Sequence, residues 1–210
     1  MNDCRPNLEG FTPGQNDRTV ASYEANAEEY IASRAPGQSE QYCKWIVDGL
    51  RGYPKAAKIF EIGTGTGYDA DYLESLGYSV ERSDVAQSFV DFNEKRGKTI
   101  AKFDVVHDDF SGVYDAIIAV NVMQHLNKDE FITAIKKVVK ALSIDGQLFF
   151  SITIGNGEEE WHDDIGGARY FLNWGLENLK DVLDAAGLQV IYEKEVGYKN
   201  WIDIIVRKVT

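Results

Sequence analysis

Cysteine, proline and basic side chains are scarce in this 210-residue chain. It has two Cys, four Pro, and 22 Lys and Arg against 34 Asp and Glu. Cys4 and Cys43 stand apart and neither belongs to a Cys-x-x-Cys pair, so a disulfide framework or a zinc site is not expected. No apolar run approaches the roughly 20 residues that cross a bilayer. Met1-Asn2-Asp3-Cys4-Arg5-Pro6 lacks the apolar stretch of a secretory signal, and a cytoplasmic location is expected. The shortage of bases leaves a formal net charge of −12. A chain of that sign repels phosphate backbones, and no Lys/Arg cluster announces a local exception. Neither nucleic acid nor membrane is an expected partner.

What is present is an ordinary globular composition, 44% hydrophobic and 27% charged, of a length suited to one α/β domain. Residues 1–18 carry few large apolar groups and read as a flexible arm. Residues 19–53 read as a helical cap: Tyr23, Ala27, Tyr30 and Ile31 recur at helical spacing over Thr19 to Ser33, and Pro36-Gly37 separates a second helix, Glu40 to Leu50. Strands then alternate with helices from Ala57 to Thr153, which predicts a mainly parallel sheet with helices on both faces. Gly155 to Arg169 is polar and glycine-rich and reads as a loop. After the helix Leu176 to Ala186, the runs Leu188 to Lys194 and Asn200 to Lys208 have no helix between them. They should pair antiparallel at one sheet edge.

The first strand runs into Glu61-Ile62-Gly63-Thr64-Gly65-Thr66-Gly67 and then a helix. Glycines at that junction allow a tight bend and close approach of a ligand, and the helix start offers free N–H groups. Ligands of open α/β sheets sit beyond the carboxyl ends of the strands. Tyr68 stands where a dinucleotide-binding turn has its third glycine. Glu61 would repel a pyrophosphate but suits a cofactor carrying an ammonium and a sulfonium. The second strand ends at Asp84-Val85, where an acid can accept both hydroxyls of a ribose. The third ends near Asp104-Val105; Asp104 can accept an adenine amino group with Val105 on the ring, and Asp108 and Asp109 are rivals for the contact.

With those motifs, Tyr114-Asp115-Ala116-Ile117-Ile118-Ala119, Val122-Met123-Gln124-His125-Leu126 and Leu183-Asp184-Ala185-Ala186-Gly187-Leu188, the chain from Tyr23 to Lys208 resembles the class I S-adenosylmethionine-dependent methyltransferases. Thr64 and Leu188 depart from the commoner residues at their positions. The resemblance implies one methyltransferase domain over 19–210. Its fold would be α/β and Rossmann-like, with a seven-stranded sheet of order 3-2-1-4-5-7-6 whose last strand is antiparallel. It implies S-adenosyl-L-methionine as cofactor, held by Glu61, Gly63, Thr64, Gly65, Gly67, Asp84, Val85, Asp104, Val105 and Val120. Tyr30 would face the methionine end and Arg34 would pair with its carboxylate; alternatively Tyr23 and Tyr30 pack and Arg34 is solvated.

Methyl transfer from a sulfonium needs alignment in a dry site more than a fixed catalytic constellation. Asn121-Val122-Met123-Gln124 is not the segment used by exocyclic-amine nucleic-acid methyltransferases, and no Pro-Cys pair marks cytosine chemistry. The expected acceptor is an O, N, S or C atom of a small-molecule metabolite. His125 reads either as a structural residue or as a general base or substrate contact. His162, within a run of acids, reads as part of an exposed loop rather than a metal site. Residues 154–175 read as a substrate lid, in which Trp161, Arg169 and Tyr170 would contact the acceptor; alternatively Tyr170, Phe171 and Trp174 are core and Arg169 is a surface pair. Two other functions fit less well: a dinucleotide-dependent oxidoreductase and a catalytically silent methyltransferase-like subunit. The chain would act as a monomer or homodimer.

Overall fold

The structure, a computed structural model, describes residues 14–37, 39–197 and 200–209. Strands β1 (Lys58–Ile62), β2 (Ser79–Asp84), β3 (Ile100–Lys102), β4 (Tyr114–Ala119), β5 (Leu142–Thr153), β8 (Leu188–Val196) and β9 (Trp201–Lys208) form one sheet of order β3-β2-β1-β4-β5-β9-β8. β9 runs antiparallel to both its neighbours, and the other pairings are parallel. Between β5 and β8 the chain makes a separate hairpin, β6 (Glu159–Asp164) with β7 (Gly167–Leu172). Setting the hairpin aside, the strand order is the expected 3-2-1-4-5-7-6.

The sheet is buried on both faces, and alternation along each strand divides the core in two. Phe60, Ile117, Phe150 and Ile204 face α7 (Lys128–Ala141) and α8 (Leu176–Ala185), where they meet Phe131, Ile135, Leu179 and Leu183. Ile59, Ile118, Phe149 and Ile205 face α4 (Lys44–Leu50) and α5 (Tyr68–Ser75), where they meet Ile46, Leu50 and Leu73. Cys43 is buried on that second side as a free thiol, while Cys4 lies outside the described residues. Among the described residues no helix is long and apolar enough to cross a membrane.

Four expectations change. The second cap helix, expected over Glu40 to Leu50, is two, α3 (Ser39–Tyr42) and α4, divided at Cys43. The arm is shorter than residues 1–18, because α1 (Gln15–Ala25) starts within it; residues 1–13 lie outside the described set. The cap helix expected over Thr19 to Ser33 is two helices, α1 and α2 (Ala27–Ser33), broken at Asn26, whose amide side chain bonds back to the Ser22 carbonyl at 2.8 Å. The segment Gly155 to Arg169 is not all loop. β6 is exposed along its whole length, so no period-2 apolar pattern marks it; it forms by pairing with β7, whose Tyr170, Phe171 and Leu172 are buried.

α1 docks onto α6 (Gln87–Lys95) through one side chain. The Glu24 carboxylate accepts the backbone N–H groups of Gln87 and Ser88 and the Ser88 hydroxyl, satisfying donors that the start of α6 leaves free. α7 opens with a capping box: Asn127 Oδ1 accepts from the Asp129 and Glu130 amides at 3.0 Å, and Glu130 Oε2 accepts from the Asn127 amide at 2.9 Å. Replacing Asn127 with Ala removes that cap and should cost about 1 kcal/mol. In a domain of this size thermal unfolding should show a loss of roughly 2–4 °C; an unchanged midpoint would contradict the assignment.

Candidate active site

β1 ends in the bend Gly63-Thr64-Gly65-Thr66-Gly67, and its three glycines all have positive φ, at 68°, 52° and 75°. L side chains rarely adopt that conformation. A Cβ on Gly63 would also collide with Val122, and one on Gly67 with Asn93. The bend is fastened from behind: the Thr64 amide donates to the Ser83 carbonyl at 2.8 Å, and Asn93 Nδ2 donates to the Gly65 carbonyl at 2.8 Å.

Two carboxylates frame it. Glu61 lies beneath the bend, 5% exposed, and its Oε2 has no hydrogen-bond partner among the described residues. Burial pushes its pKa up to about 8, with Asp69 adding repulsion. Asp84, at the end of β2, accepts the Gly65 amide at 2.8 Å and the Ala86 amide at 2.9 Å. Burial raises it to about 6 against the pull of those backbone donors. The Thr64 hydroxyl is likewise buried without a partner.

A cavity of about 1700 Å³ opens above these groups, along the carboxyl ends of the central strands. Gly63, Thr64, Gly65, Asp84, Val85, Asp104, Val105 and Val120 line it, as do Tyr30 and Arg34 from the cap. Arg34 donates to the Tyr30 hydroxyl at 3.0 Å and lies against its ring. Asp104 Oδ1 accepts the Val106 amide at 2.9 Å. The rivals stand apart from the cavity lining: Asp108 accepts the Asp104 amide at 2.8 Å, and Asp109 is exposed near Lys137. Glu61 and Gly67 shape the bend from below and behind without lining the cavity.

The acceptor end differs from the expectation. Arg169 and His125 line the cavity; Trp161 and Tyr170 do not. Trp161 lies on the outer strand β6, 40% exposed, with the Arg18 guanidinium over its ring. Tyr170 is 1% exposed and points into the core, because neighbours on β7 alternate and its face is opposite that of Arg169 and Phe171. Phe171 takes its place on the cavity wall.

His125 sits in a 3-10 turn, Met123–His125, just beyond β4. Its Nδ1 is 2.7 Å from the Tyr170 carbonyl, which can only accept, so Nδ1 carries the proton. Nε2 is then an acceptor, 3.2 Å from the Tyr23 hydroxyl and 3.0 Å from Gln124 Nε2. Tyr23 in turn accepts from Arg169 at 3.1 Å, and Arg169 also pairs with Asp164. Burial lowers His125 to about 4 and raises Tyr23 to about 12, so both are neutral near pH 7. Sequence reasoning placed Tyr23 in the cap but gave it no role here. His162 bonds Glu160 at 2.9 Å and also faces the cavity.

Residues 60–148 match the family model described as a methyltransferase domain. No curated protein matches the sequence. Among solved structures, the chain is 16% identical to the Burkholderia thailandensis 1,6-didemethyltoxoflavin-N1-methyltransferase with bound 1,6-didemethyltoxoflavin and S-adenosylhomocysteine. That alignment covers 97% of this chain and 94% of that one, with a TM-score of 0.71. DhpI in complex with SAH is 18% identical over 95% and 99%, with a TM-score of 0.73. The CcbJ methyltransferase from Streptomyces caelestis is 14% identical over 90% and 98%, with a TM-score of 0.71. These likenesses establish the Rossmann-like class I methyltransferase fold across nearly the whole chain.

Asp84 accepts hydrogen bonds best as the anion. Affinity for S-adenosylhomocysteine should therefore weaken as pH falls through about 6. Calorimetry between pH 5 and 8 measures this. Asp84→Asn should bind at least about tenfold more weakly at pH 8, a loss of roughly 1.4 kcal/mol, and should lose that pH dependence.

Proposed function

We propose that the protein transfers a methyl group from S-adenosylmethionine to an O, N, S or C atom of a small-molecule metabolite. The observation that carries this reading is the pairing of an unpartnered buried carboxylate, Glu61, with a bend of three positive-φ glycines whose mouth is closed by Asp84. A carboxylate there disfavours a pyrophosphate and favours a cationic ligand.

The residues fit such a ligand in order along the cavity. Glu61 offers an unpartnered acceptor beneath the amino acid end, which a cationic ligand draws into its charged form, and Arg34 reaches the ligand's carboxylate beside the Tyr30 ring. Asp84 accepts from the ribose hydroxyls, and Asp104 with Val105 takes the adenine. When bound, the sulfonium supplies an activated methyl group whose carbon–sulfur electron pair returns to sulfur as the acceptor's lone pair bonds to carbon. The chain's own part is alignment and exclusion of water. The cap α1–α2 closes one side, and the β6–β7 hairpin acts as the lid.

His125 in this reading is a positioning residue. Its only free lone pair accepts from Tyr23, and a pKa of about 4 makes it a weak base. It fixes Tyr23, which fixes Arg169 at the acceptor end. The acidity of the chain, net −12, favours metabolites over nucleic acids as acceptors.

Calorimetric titration with S-adenosylhomocysteine tests the reading directly. Binding is expected, and its absence at millimolar ligand would end the proposal. Arg34→Ala should weaken binding by about tenfold or more, as the loss of a charge-assisted contact does. Tyr23→Phe should leave that affinity unchanged while lowering turnover in a metabolite screen for released S-adenosylhomocysteine; loss of cofactor affinity in this variant would contradict the assigned division.

A further inference from the structure

The far lobe of the cavity has no role in the account above. β5, β9 and β8 floor it. Ser151 pairs with Asp203 and Asp203 with Lys194, so the three stand in one row across the sheet. The flanking rows are Phe149–Ile205–Tyr192 and Thr153–Trp201–Val196. Alternate residues of a strand share a face, which puts Asp203 between Ile205 and Trp201 on the side facing α4. Trp45 of α4 covers the first flanking row, stacked on Tyr192 at 6.3 Å and tilted over Phe149 at 6.0 Å. On the other side Phe171 meets Trp201 edge-on at 6.4 Å. One carboxylate thus sits between two aromatic walls.

Several other charges on the cavity are already matched. Lys44 pairs with Asp48, Arg169 with Asp164, and His162 with Glu160. Asp203 is half-buried and takes no hydrogen bond among the described residues. Burial pushes its pKa up to about 6, and the exposed Lys194 offsets this only in part. A half-buried carboxylate with no protein donor is placed to accept one from a ligand in the cavity. Aromatic faces beside it attract the same charge.

We infer that the acceptor substrate is an arylalkylamine, its ammonium held by Asp203 and its body walled by Trp45, Tyr192, Trp201 and Phe171. The inference rests on the methyltransferase reading and sharpens its substrate class. The spacing agrees. Asn121, at the end of β4, donates its amide to Ser151 Oγ at 2.8 Å, and Asp203 lies one strand further on. Two strand spacings of about 4.8 Å set β9 roughly 10 Å from β4, about the length of an arylethylamine together with its carboxylate contact.

The protein saturated with S-adenosylhomocysteine is titrated with tyramine, with neutral tyrosol and with anionic 4-hydroxyphenylacetate. Tyramine should bind at least about tenfold more tightly than either counterpart. Asp203→Asn should erase that preference while keeping S-adenosylhomocysteine affinity, which also reports that the variant is folded. Lys194→Gln, on an exposed side chain, removes a competing ammonium and should tighten tyramine binding. Failure of tyramine to bind, equal binding of the three, preference for the carboxylate, or a preference that survives Asp203→Asn overturns the inference. Failure of S-adenosylhomocysteine to bind in the first step instead defeats the methyltransferase reading beneath it.

Discussion

Everything at this site depends on keeping two carboxylates out of water at the ends of adjacent strands. Moving a charged carboxylate into a protein interior costs several kcal/mol unless donors or a counter-charge replace its hydration. Asp84 receives two backbone N–H groups, one of them from the glycine bend. Glu61 has Arg82 in its field but keeps one oxygen unpartnered. Both are pushed towards the neutral form, to about 6 and about 8. A cationic ligand would relieve that penalty. The positive φ values of the bend belong to the same constraint, since they turn the Gly65 amide towards Asp84.

The cap is tied to this centre by a third carboxylate. Glu24 gives α6 the acceptors its first turn lacks, and α6 supplies Asn93, which holds the Gly65 carbonyl. One chain of contacts therefore runs from the cap, through a helix start, to the back of the glycine bend. The second tie runs through Tyr23, which joins α1 to the turn after β4 by way of His125 and to the hairpin by way of Arg169. Cap, strand end and lid meet at one hydroxyl.

The placement of the residues proposed for the donor end was legible in the sequence, because they sit at fixed offsets from strand ends. Glu61, the three glycines and Asp84 could be placed from the alternation of strands and helices, and Asp104 from its offset beyond β3. The acceptor end was not. β6 has no alternation to read, since none of its residues is buried. Without that strand, no register existed to decide whether Tyr170 turns to the core or joins Arg169 and Phe171 on the cavity wall. Tyr23 looked like one more apolar position of a cap helix. Nothing in the sequence singles out Asp203, because only pairing with β5 and β8 reveals which row it joins.

That contrast has a physical origin. At the donor end much of the recognition comes from the backbone, from amides aimed by a bend that few sequences can make, so the residues must recur in a narrow pattern. At the proposed acceptor end, recognition would fall to side chains on three elements far apart in sequence: the hairpin, β9 and the cap. Exchanging Phe171, Trp201 or Asp203 would change what the cavity admits without touching Gly63, Gly65 or Asp84. A fold arranged in this way can keep one cofactor and vary its second substrate, and the same arrangement makes the second substrate hard to read until strand pairing has brought its contacts together.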